Sequence, residues 1–202
     1  MLSIDPLKLS ERENYKLLIG SIIPRPIAFV TSLSEEGVLN GAPFSYFNIV
    51  SSNPPLISLS IQRSGGKQKD TARNILHSKE FVIHVVDDEN VQKINETAAT
   101  LPPDESEIEL SQLIPVNSVK VAVPGIEEAK IRFECTLEQS LELGGGDAPG
   151  CDLIIGRIVH LHIDPAVYHE GKIDPRALGA VSRLAGINYA KIGDIFSIER
   201  PK

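Results

Sequence analysis

The residues best suited to chemistry gather around a strand, a loop and the start of a helix. Ile57, Leu59 and Ile61 alternate with Ser58, Ser60 and Gln62, a period of two that sends the polar side chains to one strand face. That face leads into a basic loop carrying Arg63, Ser64, Gly65-Gly66, Lys67 and Lys69. Thr71-Ala72-Arg73-Asn74-Ile75-Leu76-His77 follows and reads as a helix capped by Asp70 or Thr71. A helix N-terminus offers unpaired N–H groups and roughly half a positive charge. With Ser60, Gln62, Arg63, Lys69 and the Thr71 hydroxyl nearby, a phosphomonoester would meet donors on several sides. An ordinary capped helix after a solvated loop accounts for the same residues.

A different chemistry is suggested by Asn40-Gly41-Ala42-Pro43-Phe44-Ser45-Tyr46-Phe47-Asn48, read as a segment leaving a strand. Small residues let backbone amides approach the edge of a planar ligand, and the aromatics supply stacking surface. A strand bulge with core aromatics is the alternative.

Other constellations carry less. His160 and His162 share a strand face, yet no further ligand has suitable spacing and Cys135 and Cys151 form no CxxC. No metal site is expected. Gly144-Gly145-Gly146 follows a strand, but neither a GxGxxG opening a helix nor a Walker A loop is present. His84 alternates with Ile83 and Val85 and reads as a strand histidine. Arg25, between two prolines, is either a structural arginine or a phosphate contact. Arg183 and Tyr189 are either surface packing or part of a tail docked near the ligand.

The elements that must position these groups are mostly strands. Residues 11–19 read as a short helix ending at Gly20. Residues 26–33 are β-branched and aromatic, Ser34-Glu35-Glu36-Gly37 is a hairpin turn, and a second strand starts near Val38. Pro54-Pro55 opens the third strand, residues 80–86 another, and residues 88–100 read as helical before Pro102-Pro103. In residues 130–143, Ile131, Phe133, Cys135, Leu137, Leu141 and Leu143 alternate with polar residues, predicting one buried and one wet face. Residues 151–163 return as a second long strand. Many strands with few short helices favour a closed or partly closed barrel.

The chain has 202 residues, 42% of them hydrophobic, enough for one generous core. No repeat or linker divides it, so residues 1–202 are expected to form a single domain. A net charge of -7 argues against a nucleic-acid surface. No apolar run is long enough to span a bilayer. The start, Met1-Leu2-Ser3-Ile4-Asp5-Pro6, lacks signal-peptide character, and two cysteines make no disulfide framework. A cytoplasmic protein with buried thiols is the expectation.

Taken together, Pro24-Arg25-Pro26-Ile27-Ala28-Phe29-Val30-Thr31-Ser32, Gly37, Asn40 through Asn48, Pro54-Pro55 and Lys69-Asp70-Thr71-Ala72-Arg73-Asn74-Ile75 closely resemble the flavin reductase-like, FMN-binding split-barrel family. The nearest branch is that of flavoredoxin-like proteins. Ser182-Arg183-Leu184-Ala185-Gly186-Ile187-Asn188-Tyr189 and Arg200-Pro201 resemble it too. The resemblance implies a mainly β, Greek-key split barrel with a few short peripheral helices, a homodimer, and non-covalent FMN. It implies that Asn40 contacts the flavin, that Ala42, Pro43, Phe44, Ser45, Tyr46, Phe47 and Asn48 border its ring, and that Thr71 lies near the phosphate with Ser60, Gln62, Arg63 and Lys69. Many such reductases carry Gly-Asp-His after the long strand, whereas this chain has Gly146-Asp147-Ala148. Some place a lysine beside the flavin in the loop matching residues 104–109, which here is acidic. The leading function is a flavoprotein oxidoreductase using NAD(P)H as a transient substrate, with no catalytic side chain assigned. The alternative is an electron-transfer flavoprotein serving a redox-protein partner.

Overall fold

The computed structural model describes residues 1–99, 101–102, 104–146 and 148–201. Seven antiparallel strands make the main sheet: β1 (Ala28–Leu33), β2 (Leu39–Phe44), β3 (Phe47–Ser52), β4 (Pro55–Gln62), β5 (Glu80–Val85), β6 (Ile131–Leu143) and β7 (Cys151–Ile163). Their spatial order is β2-β1-β5-β6-β7-β4-β3. The two edges, β2 and β3, are consecutive in the chain and joined only by Ser45 and Tyr46. The sheet therefore curls into a barrel split at that connector, where the Tyr46 carbonyl accepts the Ser60 N–H at 2.8 Å.

Strand β1 is buried on both faces, which explains its unbroken apolar character. Ala28 and Val30 point into the barrel with Leu59, Ile61, Phe81, Ile83, Cys135 and Ile154. Phe29 faces a second cluster with Val86, Ile94 and Ile108. Burying such side chains contributes roughly 1.5–3 kcal/mol each. Helix α2 (Asp70–Ser78) packs Ala72 and Ile75 into the barrel cluster. In β4 the expected alternation holds, with Ile57, Leu59 and Ile61 buried and Ser58, Ser60 and Gln62 turned outward.

Several sequence expectations require correction. Helix α1 (Glu11–Ser21) runs through Gly20, because the Arg25 guanidinium binds the carbonyls of Ile19 and Ile22 at its end. The segment expected to be leaving a strand at residues 40–48 instead spans β2, the Ser45-Tyr46 connector and the start of β3, and β3 had no separate expectation. Only α3 (Val91–Glu96) forms within residues 88–99, since Asp87 Oδ1 accepts the N–H groups of Glu89 and Asn90 and holds the preceding turn out of the helix. Thr100 of that expected helix, like Asp147 of the Gly-Asp-Ala turn, lies outside the described residues. Neither Asp70 nor Thr71 caps α2: Lys69 is the N-cap and no side chain accepts from the first turn.

In β6 the alternation fails at two places. Glu134 is fully buried, while Leu141 and Leu143 are exposed. Glu134 is covered by the loop whose Val119, Lys120 and Val121 amides bind it, whereas the leucines are exposed because of strand length. Strand β5 pairs only with residues 132–136 of β6, and the remainder continues beyond it with β7 alone. A small second sheet joins Arg25–Pro26, Val181–Arg183 and Tyr189–Lys191, bringing the C-terminal segment alongside the connector. Helix α4 (Glu107–Leu110) lies against β2. No helix among the described residues is long and apolar enough to cross a membrane.

Candidate functional site

The barrel split opens into a cavity of about 410 Å³. Pro43, Phe44, Ser45 and Tyr46 form one wall, and Ser60, Gln62 and Lys69 form an end of it. The outer face of β4 and the residues at the end of β2 thus meet across the connector, although they are about twenty positions apart in sequence. Lys69 Nζ sits 5.7 Å from the Phe44 ring centroid, a cation–π contact that holds the ammonium at the cavity edge. No side chain caps α2, and its N-cap residue Lys69 puts a cation at this end of the cavity. Gln62 Nε2 donates to Ser60 Oγ at 3.1 Å, aligning the two outward groups of β4.

The opposite walls were not legible beforehand. Tyr15 comes from α1, and Val91, Ile94 and Asn95 come from α3. Arg183 and Tyr189, left open by the sequence, also line the cavity. The Arg183 guanidinium stacks 4.4 Å from the Tyr189 ring, and the Tyr189 hydroxyl donates to Asn95 Oδ1 at 2.9 Å. Burial, reinforced by Tyr15, raises the Tyr46 phenol pKa above its ordinary value. A second cavity of about 340 Å³ lies on the other side of the connector, lined by Ser45, Tyr46, Phe47, Asn48 and Ser58.

The remaining candidates are placed differently. Ala42 and Phe47 pack on the barrel core, and Asn48 is exposed with its Oδ1 accepting the Ile49 N–H. Asn40 and Thr71 are buried together: Thr71 Oγ1 donates to Asn40 Oδ1 at 3.0 Å, and Asn40 Nδ2 donates to Glu107 Oε2 at 2.9 Å. The Gly41 N–H donates to the same carboxylate at 3.3 Å. Burial raises the Glu107 carboxyl pKa above its ordinary value, and the amide contacts only partly offset it. Gly41 is small for a packing reason, because a Cβ there would lie 2.5 Å from Ile108 Cδ1 and 2.8 Å from Phe29 Cζ. Arg63 spends Nε and Nη2 on Asp152 at 2.9 and 2.6 Å, and Nη2 also reaches Glu142 at 2.6 Å.

Arg25 is a structural clamp. Besides the two α1 carbonyls, it donates to the Leu184 carbonyl at 2.9 Å and to Ser45 Oγ at 3.5 Å, fixing the connector against the C-terminal sheet. His84 is likewise structural, between the Phe29 carbonyl and the Ile126 N–H, both at 3.0 Å. Cys135 is buried as expected, and Cys151 is half-buried.

A sheet split at a two-residue connector, with a cationic cavity end and an aromatic wall, defines the flavin reductase-like split-barrel class. Residues 19–176 match the family model described as "Flavin reductase like domain". The chain belongs to that family. Nitrilotriacetate monooxygenase component B from Bacillus cereus is similar, with 57% identity, a TM-score of 0.97 and 98% of each chain covered. The 2-nitrobenzoate 2-nitroreductase NbaA of Pseudomonas fluorescens is 29% identical with a TM-score of 0.89, covering 99% of this chain and 96% of that one. Flavoredoxin of Desulfovibrio vulgaris (Miyazaki F) shares the fold at 20% identity and a TM-score of 0.76, over 88% of this chain and 91% of that one.

Proposed function

We propose that the cavity at the barrel split binds FMN and that the chain is a flavin reductase-like oxidoreductase using NAD(P)H. The observation that carries this reading is the convergence of Pro43 to Tyr46 and Ser60 to Lys69 on a single cavity. Its donor set suits a phosphorylated flavin: Lys69 with Ser60 and Gln62 for the anion, small and aromatic residues for the ring. Bound FMN supplies two-electron redox chemistry, while the protein orients it and excludes water. Lys69 holds the phosphate, with Ser60 and Gln62 alongside. The connector presents backbone amides to the ring edge, held in place by Arg25.

Pairing with a second copy is part of the proposal. Support comes from apolar side chains left in solvent: Ile49 (78% exposed) on edge strand β3, and Phe196 (80%) and Ile198 (81%) in the tail.

A second reading is an electron-transfer flavoprotein without its own nicotinamide site. Ala148, standing where related reductases carry a histidine, favours it. So does the similar Bacillus cereus protein, which is named as one component of a monooxygenase. Steady-state oxidation of NADH and NADPH by the FMN-loaded protein separates the two. Turnover supports the reductase. Its absence with both nucleotides, in protein that holds FMN, overturns the reductase and leaves the electron-transfer reading.

A further inference from the structure

A buried carboxylate and two histidines meet on the face of β6 and β7 away from the cavities described above, none of which they line. Local irregularity creates the meeting. Ile158 of β7 stands opposite Cys135 of β6. An unbroken ladder would then set Val159 against Glu134 and His160 against Phe133, on the barrel side. Instead the register shifts between Ile158 and His160, so His160 opposes Glu134 and His162 opposes Arg132. That bulge turns both imidazoles onto the face of Glu134, the kind of re-aiming for which bulges are retained.

The carboxylate is preorganised. Glu134 is fully buried, and three backbone amides of the covering loop fix it: Val119 N–H on Oε1 at 2.7 Å, and Lys120 and Val121 N–H on Oε2 at 2.5 and 3.2 Å. His162 Nε2 lies 2.5 Å from Oε1. His160, half-buried, makes no side-chain hydrogen bond among the described residues, and its ring centroid is 4.8 Å from that of His162. One ligand atom from each of the three residues falls within 4.8 Å of the other two.

We propose that Glu134, His160 and His162 bind one borderline divalent transition-metal cation, of the zinc, cobalt(II) or nickel(II) class, with solvent completing the shell. Two imidazoles and a carboxylate are the donors such ions prefer. The metal takes the place of the proton between His162 Nε2 and Glu134 Oε1, and the neutral imidazole carries that proton on Nδ1 instead. Tetrahedral ligands at about 2.0–2.1 Å from zinc stand about 3.3 Å apart. The His162–Glu134 pair therefore opens by about 0.8 Å from its 2.5 Å separation, and His160 swings in. Arg132, on the same face with its Nη1 on the Ile126 carbonyl at 3.0 Å, keeps a positive charge nearby. The site is consequently an exchangeable one that ties β6 and β7 together, unlike a closed four-ligand structural zinc site.

The test uses untagged full-length protein, chelator-treated and then freed of chelator, with any retained flavin left in place. Titration with Co²⁺ alone, read by visible d–d absorption, should saturate at one equivalent. Zn²⁺ should compete for the same site and raise Tm. His160→Ala, which breaks no hydrogen bond in the metal-free protein, should leave that protein's Tm unchanged. It should weaken Co²⁺ binding by at least about tenfold, the loss that removing even an outer-shell partner produces. His162→Ala should do the same. No saturable binding by the wild type, or equal affinity in the wild type and His160→Ala, overturns the proposal.

Discussion

His84 offers the sharpest quantitative test of the fold that supports the cavity. Its ring is fully buried, with Nδ1 against the Phe29 carbonyl and Nε2 accepting the Ile126 N–H. Both contacts require the neutral tautomer protonated at Nδ1. Burial pushes its pKa from the ordinary 6.5 down to about 3; the Phe29 carbonyl opposes this, and the nearby Arg132 and His162 charges reinforce it. A folded pKa below the unfolded one means that the neutral ring's contribution is whole above about pH 6.5 and is withdrawn as pH falls toward 3. At about 1.4 kcal/mol per unit, lowering pH from 7 to 5 removes about 2 kcal/mol. For a chain of this length that is a fall of roughly 4–8 °C in Tm. His84→Gln can still accept the Ile126 N–H and donate to Phe29, yet cannot titrate. Scanning calorimetry of both proteins at pH 7 and pH 5 should show the wild type losing that much more than the variant. Glu107 and Asp87, whose carboxyls burial raises, are present in both and cancel in the difference. Parallel pH dependence in the two proteins would refute the account of His84 as a buried neutral ring.

Two substitutions separate the cationic cavity end from the buried network behind it. Lys69→Ala removes an exposed ammonium at the cavity edge and should weaken FMN binding by about 1.5–3 kcal/mol, or roughly 10- to 150-fold. Riboflavin, which has no phosphate, should bind as before in the same fluorescence titration, and an equal loss for both ligands would contradict the placement. Thr71→Val leaves Asn40 Oδ1 short of its 3.0 Å donor in a buried setting and should cost about 1–3 kcal/mol of stability by urea denaturation. A large loss of FMN affinity with stability unchanged would instead place the Thr71 hydroxyl on the phosphate.

What the sequence by itself determined is what a short stretch of chain dictates. The alternation in β4 sorts Ser58, Ser60 and Gln62 from Ile57, Leu59 and Ile61 because strand side chains alternate faces regardless of neighbours. Gly37, with φ at +84°, closes the β1–β2 hairpin where it was expected. The blocks around residues 24–32, 40–48 and 69–75 likewise marked the family before any fold was known, and the family match bears them out. Tertiary structure decided which polar groups are free. Thr71 and Arg63 look like phosphate donors in sequence, but partners 31 and 89 positions away, Asn40 and Asp152, engage them. The walls from Tyr15, Asn95 and Tyr189 arise because α1, α3 and the small C-terminal sheet converge on one cavity, a meeting that no local period encodes. The same holds for Glu134, polar in pattern yet fully buried, because a bulge in one strand and a loop above it supply partners that its own neighbours do not.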